Sequence, residues 1–443
     1  MFFMEKKLRH QRTFGFLLKT AGPAIKRIFR YEYESLRDVP GPYLLLCNHN
    51  TDLDCALVAM AAGKQLYFVA TENILRMGLL GKLVTSLFDP IVHYKGVRGT
   101  ATVRAVMKTV RDGSSVCMFP EGNRSFNGLT CPIPPATGKL ARSCGASLVT
   151  YRLRGGYLTW PRWGRGLRKG AMRGEVAGVY THEELAAMTP EQVNAVIERD
   201  LFVDAYADQK KEPAAFKGKT PAENIESMLF MCPGCGRIGT LRSEKDRVRC
   251  SCGWSAVYDE YGMLRPDGGE ALTLTELDAA QNEKIKAMAA AELNAGPDVR
   301  TESRPGTAET EGVPDPADTE SVACPADAED RPKTAEIQGG TDRPASARLL
   351  FSDKVTLRIV GEDHQTASEE PVELKAFADR FEAGSLVIPF GDVTGLAINQ
   401  RNLLLIHGEG VKGHAEFFAD RSFSALKYLY LFRAVKGSGT GIL

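Results

Sequence analysis

Between Val39 and about Tyr180 the chain alternates short, wholly apolar runs with longer stretches in which apolar residues recur every three or four positions. "YLLLCN" (Tyr43 to Asn48), "LYFVA" (Leu66 to Ala70) and "SVCMF" (Ser115 to Phe119) belong to the first kind; bounded by turn residues, they predict strands buried on both faces. Ala101 to Val110 belongs to the second kind and predicts an amphipathic helix. Such alternation is the habit of an α/β layer structure, so residues 35–215 are expected to form a mixed central sheet flanked by helices.

The pattern changes twice further on. A compact cysteine cluster begins near Met231 and is expected to form its own small unit over 228–258, followed by a helical extension over 259–293 with its helix from about Thr275 to Leu293. Residues 294–345 are rich in Pro, Ala, Glu, Asp, Thr and Gly and nearly free of aromatics, too poor in apolar surface to fold, and are expected to be a disordered linker. From about Arg348 the period becomes two: "RLLFSDKVTLRIV", "SLVIPF", "GLAINQ", "LLLIHG" and "HAEFFA" alternate between Gly and Asn turns. A closing helix, Ser422 to Val435, sets Leu426, Leu429, Tyr430 and Phe432 on one stripe. In element order this β-rich domain, 346–436, resembles a pleckstrin-homology-like barrel.

Composition sharpens the picture in three places. At 443 residues the chain exceeds one ordinary core, and 43% apolar with 25% charged residues is globular usage, which excludes a disordered or membrane-spanning chain as a whole. A net charge of +1 names no partner, but residues 1–34 are strongly basic: Lys6, Lys7, Arg9, Arg12, Lys19, Lys26, Arg27 and Arg30 face one acid, Glu5, over the first thirty positions. Phe2, Phe3, Phe14, Phe16, Leu17, Leu18, Ile25, Ile28 and Phe29 are interleaved with them, which suits a helix lying on an anionic membrane surface; the same pattern also suits a helix packed on its own domain. With no stretch of about 18 apolar residues and no secretory start, the protein is expected in the cytoplasm, peripheral on the inner face of the cell membrane. Cys47, Cys55, Cys117, Cys131, Cys144 and Cys324 fall at unrelated spacings, which fits a reducing compartment better than a disulfide scaffold.

The candidate chemistry sits where two strands end. "YLLLC" runs into Asn48-His49-Asn50-Thr51-Asp52-Leu53-Asp54. On one continuous helix His49 and Asp54 would stand roughly 140° apart, so they meet only if His49 lies in the loop and Asp54 in the first helical turn, with Thr51 or Asp52 as N-cap. There the carboxylate would fix the imidazole tautomer and stabilise the imidazolium formed when His49 takes a proton from an alcohol, without an enzyme nucleophile. A His beside an Asp is also a common structural pair. The second strand end, "FPEGNRS" (Phe119 to Ser125), offers Glu121 as acceptor and Arg124 as a bidentate phosphate donor, with Pro120 and Gly122 shaping the turn; alternatively Arg124 pairs with Glu121 at the surface.

The H-x4-D of His49 to Asp54, followed about seventy residues later by F-P-E-G-x-R-S, resembles the glycerolipid acyltransferase family, including 1-acylglycerol-3-phosphate acyltransferases, over roughly Leu36 to Tyr180. The resemblance implies His49 as general base, Asp54 as its partner, Glu121, Gly122 and Arg124 in the acceptor site, and acyl-CoA or acyl-carrier protein as donor of the acyl group. Where that family usually carries an arginine for the acceptor phosphate this chain reads "DPIVHYKGVRGT", which puts Lys95 at the matching position and Arg98 close by, with His93 as a packing residue. The family's fourth block is altered to "ASLVTYRLRGGYLTWPRW", and Tyr151 to Arg168 either contacts phosphates and head groups or forms a solvated loop.

Cys232-Pro-Gly-Cys235 and Cys250-Ser-Cys252 form two knuckle-like pairs, so these four thiolates are expected to hold a structural zinc in a ribbon. A redox pair is the lesser alternative. Nucleic acid is not expected as a partner, because Arg237, Arg242, Lys245, Arg247 and Arg249 are diluted by acids and lack a stacking aromatic series. The sequence therefore points to transfer of an acyl group to the free hydroxyl of a lysophospholipid acceptor such as 1-acylglycerol-3-phosphate. Glycerol-3-phosphate or another lysophospholipid as acceptor, or a catalytically silent lipid-binding scaffold, are the competing assignments.

Overall fold

The structure, a computed structural model, describes residues 2–72, 74, 78–93, 99–295, 348–361, 365–411, 413–419 and 423–437. Lys95, Arg98, Cys324 and almost all of the expected linker lie outside the described residues.

The chain begins with helices α1 (Phe2–Thr20) and α2 (Gly22–Ile28) and strands β1 (Tyr31–Tyr33) and β2 (Tyr43–Cys47). Then come α3 (Asp54–Ala62), β3 (Tyr67–Thr71), α4 (Gly78–Phe88), β4 (Ile91–His93), α5 (Thr100–Arg111), β5 (Val116–Met118), α6 (Ala136–Ser143), β6 (Ser147–Arg154), α7 (Gly156–Thr159) and β7 (Met172–Tyr180). Helices α8 (His182–Ala187), α9 (Pro190–Leu201) and α10 (Ala205–Lys211) complete this unit. Its strands form one mixed sheet in the order β1-β7-β6-β2-β5-β3-β4, in which β2 runs parallel to both β6 and β5. Every residue of β2 is buried, which explains its unbroken apolar run: a central strand has no solvent face. Leu44 and Leu46 enter an apolar cluster with Val106, Val110, Leu140 and Ile197 of α5, α6 and α9, whereas Tyr43, Leu45 and Cys47 enter another with Leu57, Val58 and Ala61 of α3. Side chains alternate across a strand, so β2 stitches both helical layers to the sheet.

The N-terminal helices pack on their own domain and leave part of their apolar surface uncovered. Phe14 and Phe29 are buried, and Leu18 and Ile25 pack on the α3 side of the sheet, while Leu8, Phe16 and Ile28 are exposed. No described helix is long and apolar enough to cross a membrane.

Strands β8 (Leu241–Glu244), β9 (Arg247–Cys250), β10 (Ser255–Tyr258) and β11 (Leu264–Pro266) form a small antiparallel sheet, and α11 (Leu274–Ala295) follows. The third sheet is antiparallel, in the order β15-β14-β13-β12-β18-β17-β16, built from β12 (Phe351–Val360), β13 (Thr366–Ala376), β14 (Arg380–Ala383), β15 (Leu386–Pro389), β16 (Val393–Asn399), β17 (Leu403–Gly408) and β18 (His414–Phe418). Helix α12 (Ala425–Lys436) closes it.

Helix α12 buries more than the expected stripe. Leu426, Tyr428, Leu429, Leu431 and Phe432 are all buried, because the helix packs on the sheet on one side and on α11 on the other. Even Lys427 is buried, its Nζ 2.6 Å from Asp353 Oδ2, which also accepts a hydrogen bond from Tyr428 at 2.8 Å. Across the other face Tyr430 donates to Asp278 of α11 at 2.6 Å, and Ser424 donates to the Ser227 carbonyl at 2.8 Å.

The segment from Tyr151 to Arg168 corrects one of its two sequence expectations. It is not mainly a solvated loop: Tyr157, Leu158 and Trp163 belong to one apolar cluster that continues through Leu241, Val248 and Tyr258 to Phe351 and Phe432. Arg168, 4% exposed, is held between the Trp163 and Tyr258 rings at 4.9 and 4.8 Å. Its charge is tolerable there because its guanidinium also bonds the carbonyls of Leu158 and Pro221.

Candidate active site and cysteine centre

Strands β2 and β5 are adjacent and parallel, so the loops leaving their carboxyl ends emerge at the same end of the sheet, the end where open α/β sheets hold their ligands. Asn48 to Leu53 leave β2, and Phe119 to Ser125 leave β5. The sequence locally dictates the first loop. Asn48 continues the β2–β6 pairing with its side chain after the backbone has left the strand: its amide accepts from Leu153 N–H at 2.7 Å and donates to Leu153 C=O at 2.9 Å. Asn50 donates to the same carbonyl at 3.1 Å.

Asp54 starts α3 and organises the turn before it. Its Oδ2 accepts from the backbone N–H of Asn50 at 2.6 Å and of Thr51 at 2.9 Å, and lies 2.9 Å from His49 Nδ1. The Thr51 hydroxyl donates to Oδ1 at 2.7 Å and accepts from Leu53 N–H at 3.1 Å. The N-cap position itself is Leu53, which has no side-chain cap, so neither Thr51 nor Asp52 caps α3. The carboxylate in the first turn collects those donors instead, helped by the positive end of the helix. Because a carboxylate accepts, Nδ1 carries the proton and Nε2 is left with its lone pair. The Asp54 side chain is fully buried and that of His49 is 24% exposed, its ring stacked on Phe119 with centroids 4.5 Å apart.

Glu121 is not placed as expected. It is buried, and both carboxylate oxygens are used by backbone: Oε1 accepts from His49 N–H and Oε2 from Cys131 N–H, each at 2.6 Å. Burial pushes its carboxyl up to about 8, against the pull of those two donors. Glu121 thus fastens the second loop to the first, as does Ser125 N–H on the His49 carbonyl at 2.9 Å. Gly122, at φ 64, holds the left-handed conformation that the turn after Glu121 requires. Arg124 pairs with Asp52 at 3.0 Å rather than with Glu121; its side chain is 11% exposed and that of Asp52 is 60% exposed. His93 has its Nδ1 3.1 Å from the Thr102 hydroxyl of α5.

The two loops therefore bring together an imidazole whose Nε2 makes no hydrogen bond among the described residues, the carboxylate that orients it, and a guanidinium held by an exposed acid that an incoming anion could displace. Such a set can deprotonate an alcohol that carries a negatively charged group. An acyltransferase family model matches residues 29–154, which run from just before β1 to the end of β6 and contain both loops. The chain carries an acyltransferase domain. The match spans both motifs from which an acyltransferase was expected. Among solved structures the chain is similar to the 1-acyl-sn-glycerophosphate (LPA) acyltransferase PlsC of Thermotoga maritima, at 16% identity and a TM-score of 0.35, over 43% of this chain and 79% of that one. Comparison with curated proteins gives no match.

Outside the acyltransferase domain, the Sγ atoms of Cys232, Cys235, Cys250 and Cys252 all lie within 4.8 Å of one another. Cys232 and Cys252 are 3.9 Å apart, and Cys235 and Cys250 are 3.8 Å apart. A tetrahedral zinc with Zn–S of about 2.3 Å requires sulfur separations of about 3.8 Å, so these four residues can hold a metal ion. Arg237 Nε donates to Cys235 Sγ at 3.5 Å, which favours the thiolate a metal needs.

Three residues near the acyltransferase loops escape a reading of motifs. Asn48 and Cys131 act through local backbone contacts, and Arg162 reaches the site only through the fold, its Nη1 donating to Asn123 Oδ1 at 3.1 Å. Two asparagines flanking a histidine were the one signal available for the first.

Proposed function

We propose that the protein transfers a fatty acyl group from acyl-CoA or acyl-carrier protein to the free hydroxyl of 1-acylglycerol-3-phosphate, giving phosphatidic acid. The observation that carries this is the His49–Asp54 contact at 2.9 Å, with Nε2 left free, in a loop bonded to the loop of Arg124. His49 Nε2 takes the hydroxyl proton as the alkoxide oxygen attacks the thioester carbonyl; the C–O bond forms, the C–S bond breaks, and the thiolate leaves with the proton from the imidazolium. Asp54 stabilises that imidazolium, and Arg124 exchanges Asp52 for the acceptor phosphate. Lys95 and Arg98 add positive charge to the same acceptor. Membrane docking through the exposed Leu8, Phe16 and Ile28 and the basic residues around them brings the enzyme to its lipid substrate on the cytoplasmic side. Zinc at the four cysteines is structural, since four protein ligands leave no open position.

The test is to mix purified protein with thioester and lysolipid acceptors and measure thiol release and product lipid. Phosphatidic acid should form, and His49→Ala should reduce its rate by about three orders of magnitude or more. Equal rates in the two proteins would remove His49 from the chemistry. No turnover of any acceptor would favour a lipid-binding scaffold.

A further inference from the structure

One guanidinium joins the acyltransferase domain to the C-terminal sheet. Arg162, 4% exposed, donates through Nη1 to Asn123 of the second loop and through Nη2 to the Ile398 carbonyl of β16 at 2.6 Å, with its plane 4.4 Å from the Phe126 ring centroid. Its Nε is buried without a hydrogen-bond partner among the described residues. Arg401, in the turn from β16 to β17, lines one small cavity together with Arg162, Phe126 and Asn402. That turn is tight, with Gln400 at φ 49, and it projects Arg401, which is exposed and makes no hydrogen bond among the described residues.

Where the exposed Arg401 dips into that cavity, partial burial and then the charges of Arg124 and Arg165 lower its pKa, and burial and then Arg124 lower that of Arg162; Asp52 acts on both in the opposite sense. Arg165 already has a partner, Glu223, at 3.7 Å. Asp52, the acid common to the group, is bonded to Arg124. Arg162 and Arg401 thus share one cavity, Arg162 reaches through Asn123 to the loop that carries Arg124, and the one ion-pair partner of Arg124 among the described residues is the exposed Asp52, an arrangement of like charges that an entering anion would relieve.

We propose that Arg401 of the C-terminal domain joins Arg124, braced by Arg162, in a site for a phosphate monoester, so that this domain supplies part of the substrate pocket of the acyltransferase domain. The proposal rests on the acyl-transfer function above. A phosphate monoester occurs both on a 1-acylglycerol-3-phosphate acceptor and on the nucleotide end of an acyl-CoA donor, and the experiment separates the two.

The full-length protein and its Arg401→Ala and Arg401→Lys variants are assayed with 1-acylglycerol-3-phosphate against 1-acylglycerol as acceptor, and with acyl-CoA against acyl-pantetheine as donor. Arg401 is exposed, so both variants should fold, as thermal melts will check. Arg401→Ala should raise KM for the phosphorylated acceptor about tenfold with little change for the unphosphorylated one, and Arg401→Lys should recover part of the loss. A KM defect seen only with acyl-CoA and lost with acyl-pantetheine assigns the same anion site to the donor. Unchanged KM values for all four substrates overturn the proposal. If the wild-type protein turns over none of them, it is the acyl-transfer function that fails. Calorimetry with inorganic phosphate then decides the site by itself: binding weakened at least fivefold by Arg401→Ala upholds it, and equal binding refutes it.

Discussion

Replacing Asp54 by Asn is the most direct perturbation of the proposed mechanism, because it removes a charge while leaving the shape of the turn almost intact. An amide oxygen placed where Oδ2 now sits can still accept from His49 Nδ1, Asn50 N–H and Thr51 N–H, and its NH2 then faces the Thr51 hydroxyl, which can turn to accept. The turn should survive with weaker bonds. Trading charge-assisted hydrogen bonds for neutral ones at a buried site should cost about 2 to 3 kcal/mol of stability. The chemistry loses more. An imidazolium about 4 Å from a carboxylate is stabilised by about 4 kcal/mol at an effective dielectric of about 20, which suits a ring that is 24% exposed. Losing that stabilisation corresponds to roughly a thousandfold fall in kcat. The acceptor KM should change by less than about threefold, since Asp54 is wholly buried and cannot touch substrate. Thiol release from the thioester, followed at saturating acceptor, gives kcat, and circular dichroism melts report the stability. A folded Asp54→Asn protein that keeps more than about a tenth of the wild-type kcat would show that the carboxylate is a scaffold for the turn and nothing more.

Three further outcomes follow from neighbouring contacts. Asn48→Ala removes both bonds to Leu153 and should lower stability by about 1 to 3 kcal/mol in denaturant titrations, with a fall in kcat as the His49 loop loosens. Glu121, whose carboxyl is raised to about 8, binds more protons folded than unfolded between its ordinary value and about 8, so its contribution to stability is fully present at low pH and is lost as pH rises through that window; the slope should flatten in Glu121→Gln, as unfolding curves from pH 5 to 9 will report. Elemental analysis should find about one zinc per chain, and Cys232→Ser or a strong chelator should remove it and lower the melting temperature of the region around β8 to β11; metal-free protein with an unchanged melt would rule out a structural zinc.

Much of this protein could be read from residue pattern because much of it is decided locally. The unbroken run Tyr43–Cys47 is what a central parallel strand buried on both faces must look like, and the H-x4-D spacing demands a loop histidine and a carboxylate in the first helical turn. The four cysteines announce their site by spacing, since short knuckles bring each pair of ligands together without help from distant chain. Other features could not be read this way. Glu121 looks like a surface acceptor in the sequence, and only the neighbouring placement of β2 and β5 turns it inward to hold the His49 and Cys131 backbones. Trp163 and Arg168 look like a cationic aromatic loop until the fold brings Tyr258 of the second sheet and the Pro221 carbonyl against them. Arg162 and Ile398 are 236 positions apart, and Arg401 lies farther still along the chain from Arg124. Spacing along a chain encodes contacts within a turn of helix or a pair of strands. Contacts between separate layers depend on how whole faces pack, and that was determined only when the two antiparallel sheets and two long helices closed with the Tyr157–Trp163 segment over a common apolar core.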